Sequence, residues 1–223
     1  MCRPLATLVL AGLVAGTAAS PAGEVGIIRG QVIVSAPPSA ATRPAVSDLA
    51  AAKLEPVDRR RSVVYLDYPP PRQAFEELRS GRAKMDQKGQ QFIPRVLAIT
   101  VGTTVDFPNS DTTFHNAFSL SPIGMFDLGR YRPGRTRSFR FERPGIVPVS
   151  CDIHSHMSAY ILVFNHPFFA VTDDDGRYTI SGIPSGTYTL VVWSEIGRPA
   201  PRKVTVIDGE AVEANFQVGR GGE

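Results

Sequence analysis

The chain has little net charge and no long hydrophobic run. Its 24 lysines and arginines and 21 aspartates and glutamates give a formal net charge of +3 over 223 residues. Such a balance creates no general basic field, so the sequence does not predict a protein that nucleic acid holds by charge. The longest apolar stretch, residues 5–16, has about 12 residues, whereas a membrane-spanning helix needs about 20. The sequence therefore predicts no transmembrane segment.

The short apolar run belongs to a segment with the order of a secretory signal peptide, residues 1–22. Arg3 supplies a positive charge ahead of the run, and small residues follow it at 17–22, where a signal peptidase can cut. We therefore expect an exported protein, located in the periplasm or in another compartment outside the cytoplasm.

Cysteine is scarce. Of the two cysteines, Cys2 lies ahead of the apolar run and is expected to leave with the signal peptide. Cys151 then has no partner within the chain, which is unusual in an oxidising compartment, where exported thiols normally form disulfides. The sequence leaves three roles for Cys151: a free thiol, an intermolecular disulfide or a metal ligand.

Long helical patterns are also missing. The sequence contains 20 glycines and 19 prolines, which favour short elements joined by turns. Apolar residues recur at every second position instead: Phe139 and Phe141 share one face of a predicted strand, and Ser138 and Arg140 share the other. Further strands are predicted at residues 27–34, 62–66, 92–100, 103–107, 159–164, 187–193, 203–207 and 211–218. Val147, Val149 and Cys151 share one face of another predicted strand, so we expect Cys151 to point into the core where that strand ends. This pattern predicts an all-β chain, built as a sandwich or barrel.

The residues with metal-binding chemistry lie close together in the sequence. The segment from Cys151 to Met157 reads Cys-x2-His-x2-Met, and His115 lies upstream on a neighbouring predicted element. A thiolate, two imidazoles and a thioether suit copper, whereas structural zinc normally has four strong ligands and more than one cysteine. We expect His166, which precedes Pro167, to be a linker residue.

These motifs resemble the cupredoxins, the blue copper proteins that include amicyanin and plastocyanin. The resemblance covers residues 82–165, and the short loop with cysteine, histidine and methionine looks like that of amicyanin. The matching motifs are Gln91-Phe92-Ile93-Pro94, Val101-Gly102-Thr103-Thr104-Val105, His115-Asn116, Pro144-Gly145 and Cys151-x2-His154-x2-Met157.

The resemblance implies a Greek-key β-sandwich that binds one copper ion. It also implies that Asn116 braces the ligand loop by a hydrogen bond near the thiolate. The implied ligands are His115, Cys151 and His154 as strong donors and Met157 as the axial donor, with His156 as an alternative fourth ligand.

A second resemblance covers residues 169–218, which are similar to the carboxypeptidase regulatory-like domain, a transthyretin-like sandwich. Its pattern here is Thr172-Asp173-Asp174-Asp175-Gly176-Arg177-Tyr178 followed by Ile183-Pro184-Ser185-Gly186-Thr187-Tyr188-Thr189-Leu190. Such a domain usually begins with two more strands, and the segments Arg29–Val32 and Val63–Leu66 look like them. We expect residues 23–81 to complete the small sandwich of 166–223, with the copper domain of 82–165 inserted between them. The alternative is two domains in tandem, with residues 24–80 in the copper domain.

The leading functional hypothesis is a mononuclear type 1 copper protein that transfers single electrons and is not an enzyme. Its partner would be a periplasmic redox protein. The alternatives are copper binding or delivery with a copper donor as partner, an oxidoreductase with an open coordination position, and a non-catalytic binding module with structural copper. The wider pattern also resembles exported methylamine-utilization proteins. No nucleophile–base set or zinc peptidase motif predicts a hydrolase.

Arginines recur from residue 130 to residue 143. We expect them to form an exposed strand face, with the docking of an acidic redox partner as the alternative.

Overall fold

The structure is a computed structural model that describes residues 25–35, 60–71, 78 and 81–219, and its regular elements there are all β-strands. The predicted signal peptide, residues 1–22, lies outside the described residues. Within the described ranges, no helix has the length and apolar character needed to cross a membrane. The all-β fold class is confirmed. The strands are β1 Gly26–Val34, β2 Ser62–Leu66, β3 Arg82–Lys84, β4 Asp86–Lys88, β5 Gln91–Ile93, β6 Val96–Thr100, β7 Thr104–Pro108, β8 Phe118–Ser119, β9 Phe126–Asp127, β10 Thr136–Arg140, β11 Gly145–Ser150, β12 Ser158–Phe164, β13 Phe169–Val171, β14 Arg177–Ile183, β15 Gly186–Ser194, β16 Arg202–Val206, β17 Ala211–Glu213 and β18 Phe216–Val218.

Four sheets form two sandwiches. Sheet I joins β14 to β1, whose other edge pairs with β17 and β18, and sheet II has the order β13-β2-β15-β16. Sheet III has the order β6-β12-β11-β8-β9, and sheet IV has the order β10-β7-β3. Sheets I and II enclose one apolar core and make the small sandwich. Sheets III and IV enclose another core and make the large sandwich, with the hairpin of β4 and β5 beside it.

A third apolar cluster joins the two sandwiches, because sheets II and III pack against each other. It is built around Val63, Val96, Leu162, Phe164 and Trp193. In β12, Ala159, Ile161 and Val163 face the core of the large sandwich, while Leu162 and Phe164 face this junction. Successive strand residues point to opposite faces. A strand covered on both sides therefore has a nearly continuous apolar sequence, as β12 does.

Strands from both ends of the described chain build the small sandwich. β1 pairs antiparallel with β14, and β2 pairs antiparallel with β13 and β15. In the described residues, neither β1 nor β2 forms a hydrogen-bonded pair with a strand of sheet III or sheet IV. The boundaries of the predicted domains, 23–81, 82–165 and 166–223, stay a prediction.

The last predicted strand, residues 211–218, is wrong as a single element. The structure divides it into β17 and β18, which pair in succession with the same edge of β1. Between them, Ala214 crosses so close to Gly30 that a Cβ atom on Gly30 would overlap the Ala214 carbonyl. Asn215 Oδ1 then accepts a hydrogen bond from Gln31 N at 2.8 Å. The close crossing interrupts the ladder, and the sequence of 211–218 alone gives no sign of it.

A buried ion pair also connects the sandwiches. Arg95 precedes β6, and its guanidinium donates two hydrogen bonds to Glu195 at 2.6 and 2.8 Å, with side-chain exposures of 12% and 7%. The same guanidinium donates to the hydroxyl and carbonyl oxygens of Ser158, the first residue of β12. Glu195 follows β15 of the small sandwich, so this pair ties sheet II to the beginning of β12.

His166 lies in the connection between β12 and β13, as the sequence predicted, and it is buried at the junction of the sandwiches. It is 4% exposed, and its Nδ1 accepts a hydrogen bond from Phe168 N at 3.1 Å. Burial lowers the pKa of His166 to about 4, so the ring is neutral at pH 7.

Candidate metal centre

The ligand loop begins where β11 ends. Val147, Val149 and Cys151 alternate into the core of the large sandwich, as predicted, and Cys151 is 4% exposed. The chain then turns back into β12. Met157 N donates to His154 O at 2.9 Å, and Cys151 N donates to Met157 O at 3.3 Å. These backbone hydrogen bonds close a compact loop over the end of the core.

A separate segment brings His115 to the same place. His115 and Tyr131 exchange backbone hydrogen bonds of 3.2 and 2.8 Å. Asn109 Nδ2 donates to the carbonyls of Thr113 and Tyr131, which fixes the turn ahead of His115. His115 is completely buried. The turn and the bridge therefore fix the backbone of His115 independently of the Cys151 loop.

Three donor atoms meet at the end of the sandwich. Cys151 Sγ lies 4.0 Å from the Nδ1 atoms of both His115 and His154, and the two Nδ1 atoms are 3.1 Å apart. Within the described ranges, these three residues form the group of side chains whose donor atoms lie close enough together to hold a metal ion. The structure thus brings His115 to two residues of a single loop, Cys151 and His154, that lies 36 residues downstream.

The spacing of these atoms fits a single ion. A point in their plane about 2.0 Å from both Nδ1 atoms lies about 2.4 Å from Sγ, close to ordinary metal–imidazole and metal–thiolate bond lengths of about 2.0 and 2.3 Å. One thiolate with two imidazoles is a soft-to-borderline donor set, which suits copper. With one cysteine, the cluster lacks the multiple thiolates typical of structural zinc.

Asp111 orients His115, a contact that the sequence did not predict. Its Oδ2 lies 2.9 Å from His115 Nε2. Since an ionised carboxylate only accepts hydrogen bonds, Nε2 carries the proton and Nδ1 keeps its lone pair toward the cluster. Burial raises the pKa of Asp111, but hydrogen bonds from Gln90 N, His115 and Thr112 N outweigh burial and hold that pKa below its ordinary value. Nothing in the local spacing of residues 111 and 115 separates this contact from an ordinary turn.

The other predicted ligands differ in exposure. Met157 is 1% exposed and belongs to the same core cluster as Cys151. His156 is exposed, and its ring centroid lies 6.0 Å from that of His154. Burial lowers the pKa of His154, and the neighbouring rings of His115 and His156 lower it further. His154 is therefore neutral at pH 7, as a metal ligand must be.

Asn116 is buried, but its observed hydrogen bond differs from the predicted one. Its Nδ2 donates to Asp127 Oδ1 at 2.7 Å, and its Oδ1 is buried without a partner in the described residues. Asp127 Oδ1 also accepts from Gly129 N at 2.8 Å. The amide group thus braces the turn at residues 126–129, because that turn supplies a carboxylate within reach. The predicted hydrogen bond from Asn116 to the ligand loop stays a prediction.

Comparison with known families identifies the C-terminal part of the chain. Residues 158–219 match the carboxypeptidase regulatory-like domain, which confirms the resemblance drawn from the sequence. The match includes β12 of the large sandwich, and β1 and β2 of the small sandwich lie outside it. No curated protein matches the chain.

Solved structures similar to part of the chain include cupredoxins, the family that the motifs resemble. A purple cupredoxin from Nitrosopumilus maritimus is 24% identical, with 37% of this chain and 99% of that chain covered and a TM-score of 0.34. A copper-containing nitrite reductase from Thermus scotoductus SA-01 is 30% identical, with 37% of this chain and 22% of that chain covered and a TM-score of 0.35. A reduced point variant of amicyanin is 20% identical, with 40% and 87% covered and a TM-score of 0.36. At these scores the likeness assigns no function, and the nature of the site rests on its donor atoms.

Proposed function

We propose that this protein is an exported mononuclear copper protein that transfers single electrons. The observation that carries the proposal is the meeting of Cys151 Sγ with the Nδ1 atoms of His115 and His154, all within 4.8 Å of one another. Met157 is the proposed fourth donor, because it is buried beside Cys151 while His156 points to solvent. Bound copper would supply a one-electron couple between Cu(II) and Cu(I).

The protein's own contribution is to fix the donors. Asp111 fixes the tautomer of His115, two backbone hydrogen bonds close the loop that carries Cys151 and Met157, and the core of the large sandwich supports both. A rigid donor set rearranges little when the charge at the site changes, and this favours fast electron transfer. The burial of His115 and Cys151 also limits the access of water and of small substrates.

His154 is the donor residue that reaches the surface. It is partly exposed, whereas His115 is completely buried and Cys151 is 4% exposed. We therefore infer that a redox partner makes contact on the His154 side of the centre. This position gives a short path between a partner and the centre without opening the site.

Titration of the metal-free protein with Cu(II), followed by visible absorption, tests the proposal. An intense charge-transfer band should rise to a stoichiometry of one copper per chain, because a thiolate bound to Cu(II) absorbs strongly. Cys151→Ala should lose the band. His156→Ala should keep it, since that ring is exposed and outside the proposed donor set. A weak spectrum, or one unchanged by Cys151→Ala, would contradict the proposal.

Copper delivery is a second candidate, favoured by one observation. The exposed ring of His156 next to His154 offers a surface imidazole through which copper can enter or leave. Delivery requires fast exchange, so a Cu(I) chelator should remove the metal within seconds, and His156→Ala should slow that removal. Electron transfer predicts slow removal and a reversible one-electron voltammogram. The two outcomes separate the candidates.

The proposed export has its own test. Residues 1–22 should be absent from the mature protein, and the protein should appear in the periplasmic fraction when expressed with its full sequence in a Gram-negative host. Intact mass spectrometry of the fractionated protein would detect the cleavage. An uncleaved protein in the cytoplasmic fraction would contradict export.

A further inference from the structure

A cleft lined by arginines lies beside the candidate metal centre. It has a volume of about 320 Å³, and Phe114, Tyr131 and Thr136 complete its lining. The arginines in this lining are Arg130, Arg132, Arg135 and Arg137.

The charge of this region contrasts with that of the rest of the chain. Residues 128–151 contain six arginines and one acidic residue, Glu142, whereas the whole chain has a net charge of only +3. The rest of the chain then holds 18 basic and 20 acidic residues, so it is close to neutral. A local positive region in an otherwise nearly neutral molecule attracts negative groups to one place and orients their approach.

A tight turn presents two of the arginines side by side. Arg132, Pro133, Gly134 and Arg135 form the turn, in which Arg135 N donates to Arg132 O at 3.3 Å and Gly134 has a φ of 74°. Proline at the second position and a glycine of positive φ at the third are typical of a type II turn. Gly134 N also donates to Asn109 O at 2.7 Å, and Asn109 N to Arg135 O at 2.9 Å. The backbone that carries the two guanidinium groups is therefore fixed before anything binds.

These two arginines differ from the other two in the cleft. Arg130 forms an ion pair with Asp152 at 3.0 Å, and the Arg137 guanidinium lies 5.3 Å from the centre of the Tyr131 ring. Within the described part of the chain, Arg132 and Arg135 form no ion pair with a carboxylate. Their guanidinium groups are exposed and available for an external anionic group.

The cleft and the metal centre share a backbone connection. Tyr131, in the cleft wall, exchanges two backbone hydrogen bonds with His115, and Phe114 directly precedes His115. Arg130 reaches across to Asp152, which lies in the ligand loop next to Cys151. A molecule bound in the cleft would therefore contact residues that are bonded to His115 or to the neighbour of Cys151.

We propose that this arginine cleft docks an acidic surface segment of a redox protein partner. Paired guanidinium groups match the planar geometry of aspartate and glutamate side chains, and exposed Phe114 offers apolar contact at the same edge. A nucleic acid or an anionic membrane needs a broader basic surface than this one cleft, and the rest of the chain is close to neutral. This proposal extends the proposed function. Only the redox nature of the partner rests on that function; the binding of an acidic segment does not.

The test uses the full chain, copper-loaded and copper-free, and hexaglutamate as the probe. Isothermal titration at low ionic strength should detect binding to both forms, since the cleft does not depend on the metal. The double variant Arg132→Gln/Arg135→Gln should weaken binding about tenfold or more. The control Arg140→Gln/Arg143→Gln removes the same charge outside the cleft and should weaken binding less than about twofold.

Four results would overturn the docking proposal: no binding of hexaglutamate, equal weakening by the two double variants, equal affinity for an oligothymidylate of matched charge, or equal affinity for inorganic phosphate. The third result would point to nucleic acid and the fourth to a small oxyanion. All four are read from titrations of the copper-free chain, so they are independent of the visible band that tests copper binding.

Discussion

The two sandwiches of this protein are built by the same alternating pattern, but they differ at the ends of their strands. In the large sandwich, the strand ends and loops near Cys151 carry a thiol, imidazoles and the arginine turn. In the small sandwich, the turns carry glycine, proline and aspartate, and none of its described residues belongs to the candidate metal cluster. Both cores are apolar and closely packed, so the difference in chemistry comes from the connections and not from the sheets.

The small sandwich nevertheless packs against the large one, because its sheet II covers the outer face of sheet III. The rings of Trp193 and Tyr160 contact each other across this junction, with centroids 5.0 Å apart and planes tilted by 59°. The ion pair of Arg95 and Glu195 lies beside Ser158, which directly follows Met157 of the ligand loop. We therefore expect one sandwich to bear the chemistry and the other to stabilise it.

Removing the central aromatic residue of the junction should have the largest effect. Trp193 is 5% exposed, and Trp193→Ala should lower the free energy of unfolding by about 3–5 kcal/mol, because it leaves a cavity between sheets II and III. Chemical denaturation followed by circular dichroism would measure the change. Tyr68→Ala, at a residue that is 76% exposed, should cost little and serves as the control.

If the junction couples the sandwiches, the parent protein should unfold in a single transition. The visible copper band and the far-ultraviolet signal should then disappear together. Two well-separated transitions in the parent protein would show independent sandwiches and would contradict the supporting role of the small one.

Lower pH should weaken the junction through His166, with the second-largest effect. Burial lowers the pKa of His166 to about 4, whereas in the unfolded chain it returns to about 6.5. Between pH 4 and pH 6.5 the unfolded state binds more protons than the folded state. The stability that neutral His166 contributes is therefore complete above pH 6.5 and is lost as the pH falls toward 4. The loss amounts to about 3 kcal/mol in the free energy of unfolding.

A variant isolates this contribution from other titrating groups. His166→Gln keeps an acceptor for the hydrogen bond from Phe168 N but does not titrate. Denaturation at a series of pH values should give a flatter stability profile between pH 4 and 6.5 for the variant. Parallel profiles for the two proteins would exclude His166 as a source of acid sensitivity.

Neutralising Asp111 should produce a smaller effect, confined to the large sandwich. Asp111→Asn keeps the shape of the group beside His115 Nε2 but removes its negative charge. In the parent protein this negative charge stabilises Cu(II) more than Cu(I). The affinity for Cu(II) should fall about tenfold, and the reduction potential should rise by about 60 mV. Voltammetry would measure this potential.

Asp106→Asn provides the matched control for charge. Asp106 lies on β7 and bonds to Arg82 and Ser138 rather than to a proposed ligand. Its replacement removes the same charge and should leave the potential nearly unchanged. Equal shifts for the two variants would mean that Asp111 acts only through the general field of the protein.

The sequence predicted those features that depend on local spacing. The alternation of Val147, Val149 and Cys151 indicated a cysteine that faces the core, and the segment from Cys151 to Met157 indicated which side chains one loop could bring together. Apolar alternation also located most strands, because the pleat of a strand imposes a period of two wherever one face is buried.

Features that depend on the geometry of a turn or on distant segments could not be predicted in this way. Asp111 contacts His115 because the turn between them folds back, and Asn116 bonds to Asp127 of the turn at 126–129; spacing alone specifies neither contact. The division of residues 211–218 follows from a close crossing at Gly30. His166 is buried by the packing of two sandwiches, which no local pattern encodes.

X-ray absorption at the copper edge of the loaded protein would identify the donor atoms of the centre. We expect one sulfur at about 2.3 Å and two nitrogens at about 2.0 Å, from Cys151, His115 and His154. Cys151→Ser should replace the short sulfur scatterer with a light atom. A first shell of nitrogen and oxygen alone in the parent protein would contradict the claim that these three side chains bind the metal together.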